Sequence, residues 1–326
     1  MALIPFLLLL LTLIWLANIA AASPRSNLRY LVWGVLALLN LSALAVAAFS
    51  WQLLRLPPEY LADYPYNTEM LGAFIGPLAA AAIWGLFILI PPVRHLLARF
   101  TPLNPESPVH DVALVLAGYL VANTLITLNQ GGSAALAEAS ESATLLDLFV
   151  TGAALIAAAF LGVGWGTRRS WKEIKERLGL RPLRRVDVTI AIIVTAGLFI
   201  AQIVVTLLLS QLYPEQMALL EEVNTVLLGE FNTLWAWLLL ALATGIGEEL
   251  LFRGAIQPAF GLIPTSALFA LAHLQYDLSP LMLFIFILGL VLGIIRHRYG
   301  TSVAILIHFG YNFSLGILSL LAEYLV

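Results

Sequence analysis

The chain has 326 residues, of which 61% are hydrophobic and 11% charged, with a mean hydropathy of +0.95 and a net charge of −3. A soluble domain carries about a quarter of its residues charged and about half apolar, so this composition excludes a water-soluble globular fold and points to a protein built for the bilayer. There is no cysteine, which excludes disulfides, thiolate nucleophiles and Cys-bound zinc.

Apolar runs long enough to cross a hydrocarbon core of about 30 Å fall near 2–22, 30–52, 70–91, 112–128, 145–166, 187–209, 234–256, 262–278, 280–295 and 302–325. The predicted fold class is all-α: a polytopic transmembrane helical bundle of about ten membrane segments, with the active site in the C-terminal four. No Lys or Arg precedes the first run, and its length exceeds a signal's apolar region, so it reads as a spanning helix. The eighth and ninth runs are interrupted only by Asp277, Ser279 and Pro280, and either reads as a tilted or re-entrant piece.

Charge placement orients these segments, because Lys and Arg favour cytoplasmic loops. Of the 16 Lys and Arg, all but Arg55 fall on the odd-numbered loops, counting Arg253 with them. The even loops hold Glu59, Asp63, Glu69, Glu138, Glu141, Glu215, Glu221, Glu222, Glu230 and Asp277. Both termini are therefore expected outside the cytoplasm. The chain divides into an N-terminal helical part of no assigned role, 1–166, a basic linker, 167–186, and a C-terminal part, 187–326. In the linker, Trp171, Ile174, Leu178 and Leu180 share one face, so it reads as an amphipathic helix resting on anionic lipid or as a solvated basic connector.

Polar groups inside spanning segments mark function or helix pairing. Asn40, Asn123 and Thr124 read as hydrogen-bonding to neighbouring helices, and His95, His110 and His297 as solvated. The second half concentrates the rest. Glu249 and Arg253 stand at i and i+4, the spacing of a helical ion pair, which leaves Glu248 free to accept a proton from water. Phe269 and His273 repeat that spacing, so the ring can pack beside the imidazole, and His308 with Asn312 presents a ring and an amide to one side of the last segment. Glu248, His273, His308 and Asn312 together could activate water and hold an oxyanion. The GLVLG run from Gly289 to Gly293 reads equally as close intramolecular packing or as a dimer face.

The blocks EELLFR at 248–253, FALAH at 269–273 and HFGYN at 308–312 resemble the EExxxR, FxxxH and HxxxN motifs of the CAAX-protease and bacteriocin-processing family. That family includes the type II CAAX prenyl endopeptidase and bacterial proteins of the abortive-infection group. The resemblance covers about 187–326. It implies an intramembrane endopeptidase in which Glu248 and His273 activate the attacking water and His308 and Asn312 stabilise the oxyanion, with Glu249, Arg253 and Phe269 supporting. It also implies an integral protein of a prokaryotic cell membrane.

Whether a metal takes part stays open. A divalent ion such as zinc would be held by Glu248, His273 and His308. A metal-free hydrolysis reads slightly better, because the sequence shows no acidic or amide partner for either histidine. The expected partners are membrane lipids and a membrane-embedded or lipid-anchored peptide, with no nucleic acid. Two other classes compete: a proton-coupled transporter, against which no inverted repeat links 1–166 to 187–326, and a non-catalytic immunity or scaffold protein.

Overall fold

The computed structural model describes residues 3–23, 25–60, 68–139 and 143–325. Asp63 and Glu141, two of the acidic residues used above, lie outside the described residues. The first half contains α1 (Leu3–Ala22), α2 (Leu28–Leu53), α3 (Thr68–Ile88), the short α4 (Pro91–Leu97), α5 (Pro108–Asn129), the short α6 (Ser133–Ala139) and α7 (Leu145–Gly162). After α8 (Trp171–Leu178), the second half runs through α9 (Arg185–Leu212), α10 (Pro214–Leu228) and α11 (Leu234–Glu248). A π-helix, Glu249–Ile256, then leads into α12 (Gln257–Phe260), α13 (Leu262–Leu271), α14 (Pro280–Tyr299) and α15 (Thr301–Leu325). There is no β-strand among the described residues.

Nine of the described helical segments are long and apolar enough to cross a membrane; α11, the π-helix and α12 count as one continuous rod of 27 residues. This agrees with the all-α polytopic bundle. Large apolar side chains such as Ile192, Ile193 and Leu207 on α9 point outward and are more than 60% exposed, a surface suited to acyl chains and costly in water. The eighth expected segment departs from a regular crossing. Its helix, α13, has only ten residues, and the chain continues through a 3₁₀ turn at Leu274–Tyr276. At Asp277, φ is 48°, a region few residues other than Gly, Asn and Asp adopt. The Asp277 carboxylate accepts from the backbone N–H of Ser133 at 3.0 Å, tying this irregular stretch to α6.

The two halves share a core. Ala259 and Phe260 of α12 pack with Leu13, Ile14 and Val112 of α1 and α5, while Leu292, Val303, Ala304 and Ile307 form the fully buried seam between α14 and α15. Polar pairs add specificity. Tyr119 donates to the Asn40 side-chain oxygen at 3.1 Å, and the Thr124 hydroxyl donates to the Leu271 carbonyl at 3.1 Å. Asn123 corrects its expectation: among the described residues its side chain hydrogen-bonds to no neighbouring helix, and it lines the central cavity. His110 is also not simply solvated. It is half-buried, and its Nδ1 accepts from the Asn104 N–H at 2.9 Å.

The linker corrects both of its readings. Ile174 and Leu178 of α8 are fully buried against Ala159, Val163 and Leu250, so the apolar face turns into the protein. Trp171 stays exposed and stacks on Phe160. Arg177 donates to the carbonyls of Gly254 and Ala255 at 2.8 and 3.2 Å, and Gly179, in the left-handed conformation that ends helices cheaply, accepts from the Thr301 N–H at 2.9 Å. The linker therefore clamps the π-helix to the start of α15.

Gly289 and Gly293 also find their partners within the chain. A Cβ at Gly289 would lie 3.2 Å from Ser266 Cβ, and one at Gly293 would lie 2.3 Å from the Leu262 side chain. The GLVLG face is thus the seat of α13 on α14.

Candidate active site

Three elements supply the site. The junction of α11 and the π-helix carries Glu248, Glu249 and Arg253; the second residue past the end of α13 is His273; and α15 carries His308 and Asn312. All but Glu249 and Arg253 line one cavity of about 2130 Å³. α15 comes close to α11 because Gly245 has no side chain: a Cβ there would stand 3.0 Å from the Phe309 backbone nitrogen.

The two glutamates divide as their spacing suggests. Glu249 is completely buried, and its Oε1 lies 3.1 Å from Arg253 Nη1. Glu248 keeps 18% of its side chain exposed to the cavity, and its Oε2 has no hydrogen-bond partner. That oxygen stands 3.9 Å from His273 Nε2. Arg253 corrects its placement as a loop charge: it lies well inside the rod Leu234–Phe260, fully buried, with its guanidinium carbon 4.0 Å above the Phe269 ring. This stacking retains a desolvated cation without a second carboxylate.

Phe269 is the hub. Its ring centroid is 4.7 Å from the His273 ring and 5.9 Å from that of His308. Its backbone carbonyl lies 2.8 Å from His273 Nδ1. A carbonyl only accepts, so Nδ1 must carry hydrogen, and the remaining nitrogen, Nε2, is the one facing Glu248. Because His273 follows α13 rather than sitting within it, the Phe269 carbonyl lacks a helical N–H and is free to accept.

His308 is fixed from the other side by a contact absent from the sequence reading. Its Nδ1 lies 2.9 Å from Glu249 Oε1. Glu249 therefore serves Arg253 and His308 together, and the premise behind the metal-free reading, that neither histidine has an acidic or amide partner, fails for His308. Among the described residues, no three His, Asp or Glu side chains come together as a group that could hold a metal ion. Glu248, His273 and His308 therefore do not fit such a centre in this geometry.

Asn312 is held by Thr244, a residue with no prior signal. The amide Nδ2 donates to the Thr244 hydroxyl at 2.9 Å, and that hydroxyl donates to the Leu240 carbonyl at 2.8 Å. One N–H of the amide is left for the cavity. Tyr311 and Gln202, likewise unforeseen, pair at 2.9 Å on the cavity wall.

Residues 230–314 match the family model described as Rce1-like, type II CAAX prenyl endopeptidase Rce1-like. The chain carries an Rce1-like domain. The domain contains every residue of the three motifs, and its match supports a CAAX-type intramembrane protease in general; residues 1–229 lie outside it. No curated protein and no solved structure matches the chain.

Proposed function

We propose that the protein is an intramembrane endopeptidase that hydrolyses peptide bonds of membrane-associated or lipid-anchored peptides. The observation that carries this reading is the pair Glu248 and His273: a buried carboxylate oxygen without a hydrogen bond, 3.9 Å from the imidazole nitrogen Nε2 that the Nδ1–H tautomer leaves as an acceptor. Two acceptors this close repel unless something donates to both. A water does so with its two hydrogens, which leaves the water's lone pair directed at a carbonyl carbon.

Glu248 takes the proton as the water oxygen bonds to the carbonyl carbon, and the carbonyl electrons move onto oxygen. His308 Nε2–H and the free N–H of Asn312 then hold that oxyanion. With its Nδ1–H on Glu249, His308 can donate from Nε2 only as an imidazolium, for which Glu249 is the counterion. The buried set then reads Arg253 positive, Glu249 negative, His308 positive and Glu248 negative, a neutral total that suits a low-dielectric site. When Glu248 is protonated, the oxyanion takes over its charge. Collapse of the tetrahedral species breaks the C–N bond, and Glu248 returns the proton to the leaving amine. The bias of Lys and Arg toward the odd-numbered loops supports a site that faces the cytoplasm, with both termini on the other side.

The test is cleavage of a fluorogenic peptide library, with and without a lipid anchor, by the full chain in detergent. Glu248→Gln is expected to retain the fold and lose about 10²–10⁴-fold in rate, the usual worth of a positioned base. A peptide cut equally by both proteins overturns the mechanism.

A further inference from the structure

The cavity has a second polar end, away from Glu248, where Arg168, Arg169 and Arg177 converge. Their bonds go only to neutral oxygens. Arg168 Nε donates to the Asn18 side chain at 2.9 Å, Arg169 donates to the Val163 carbonyl, and Arg177 donates to the carbonyls of Gly254 and Ala255. Five other arginines pair with carboxylates: Arg29 with Glu106, Arg94 with Asp111, Arg181 and Arg184 with Asp187, and Arg253 with Glu249. Among the described residues no carboxylate lies within ion-pair distance of the three. Two acids are nearby in sequence: Glu173 is occupied by the Ser170 N–H and hydroxyl at the start of α8, and Glu176 is exposed on α8.

The cluster is built rather than loose. Gly164 and Gly166 adopt φ of 97° and 70°, and the N–H groups of Arg168 and Arg169 both donate to the Gly164 carbonyl, folding the turn back onto the bundle. Burial and the charge of Arg169 hold the Arg177 guanidinium down to about 10, so it stays charged at neutral pH. Three like charges held together without an acid are a standing cost, which a bound anion removes.

We propose that Arg168, Arg169 and Arg177 hold the phosphate of an anionic membrane lipid whose chain lies in the apolar part of the cavity. Phosphate accepts several guanidinium forks at once. The cluster lies at the end of the bundle where nearly all Lys and Arg fall, the level of lipid headgroups. The cavity's 2130 Å³ exceeds the roughly 300–1,000 Å³ of a small-molecule site. Arg177 contacts carbonyls six and seven residues along the rod from Glu248, about 9–11 Å at the helical rise, so phosphate and reaction centre occupy separate ends. All three arginines lie outside 230–314, and the assignment stands apart from the peptidase reading.

The experiment is native mass spectrometry of the delipidated full chain with phosphatidylglycerol, phosphatidylcholine or inorganic phosphate. Because Arg177 also clamps the π-helix, the variants are Arg168→Gln/Arg169→Gln and Arg168→Lys/Arg169→Lys, each checked for an unchanged melting temperature. The wild type is expected to retain phosphatidylglycerol over phosphatidylcholine, the Gln pair to bind phosphatidylglycerol about 30-fold more weakly, and the Lys pair to recover much of the loss. Equal retention of the two lipids by the wild type, which needs no variant, overturns the proposal. So does inorganic phosphate binding as tightly as the lipid, or a peptide acid displacing the lipid where its amide does not, which would assign the cluster to a substrate carboxylate.

Discussion

His308 Nδ1 and Glu249 Oε1 stand 2.9 Å apart between two buried side chains, and the same oxygen lies 3.1 Å from Arg253 Nη1. One carboxylate therefore has two duties, neutralising a buried cation and orienting an imidazole. Glu249→Ala should destabilise the protein by about 3–5 kcal/mol, because it leaves Arg253 buried without a counter-charge. Glu249→Leu combined with Arg253→Met removes both charges and should recover most of that loss in thermal unfolding. Peptide cleavage should stay low in the double variant, since His308 has lost the group that sets its proton. Recovery of cleavage along with stability would reduce Glu249 to a structural residue.

The amide of Asn312 owes its direction to Thr244. Asn312→Ala should lower kcat by about 10²–10³-fold with little change in KM, the signature of an interaction made only in the transition state. Thr244→Val keeps the volume and removes the hydroxyl that anchors the amide, so it should show a smaller loss of the same kind. Steady-state kinetics on both variants decides this, and an unchanged kcat in Thr244→Val would show that the anchor is dispensable.

Much of this site was legible because it obeys local rules. The Glu249–Arg253 pair follows from i, i+4 spacing, and the packing of Phe269 beside His273 from the same period. The apolar runs correspond to the long helices because bilayer length dictates helix length. What spacing could not show lies between elements. Glu249 and His308 are 59 residues apart, and Asn312 and Thr244 are 68 apart, so only the approach of α15 to α11 at Gly245 joins them. The π-helix at Glu249–Ile256 left no sign in a pattern read with the α-helical period. The linker was misread because amphipathicity reports an apolar face but not what covers it, and here Leu250, Val163 and Ala159 cover it instead of lipid.

Gly289 decides between the two readings of the GLVLG face. A side chain there meets Ser266 Cβ at 3.2 Å and its Cα at 3.3 Å, backbone contacts that cannot swing aside. Gly289→Leu should destabilise the protein by about 1–3 kcal/mol through overpacking. Its oligomeric state in detergent, measured by light scattering after size exclusion, should equal that of wild type. A dissociated oligomer with unchanged unfolding would instead place this face between copies of the chain.

Arg177 joins the linker to the reaction centre. Its Nη1 and Nη2 reach the consecutive carbonyls of Gly254 and Ala255, in the π-helix that begins at Glu249. Those two oxygens point toward the linker, and the planar guanidinium meets both from one position, which a lysine ammonium on its flexible stem does not reproduce. Arg177→Lys therefore keeps the charge and loses the fork. It should cost about 1–3 kcal/mol, the penalty of buried acceptors left without donors, read as a fall in unfolding temperature. The π-helix sets how Glu249 and Arg253 are carried on either side of its first turn, so cleavage should fall with stability in Arg177→Lys. In the Lys pair at Arg168 and Arg169, whose hydrogen bonds go to Asn18 and Val163 rather than to the π-helix, cleavage should hold. Equal cleavage by Arg177→Lys and wild type would mean that the carboxylates keep their positions without the linker's clamp.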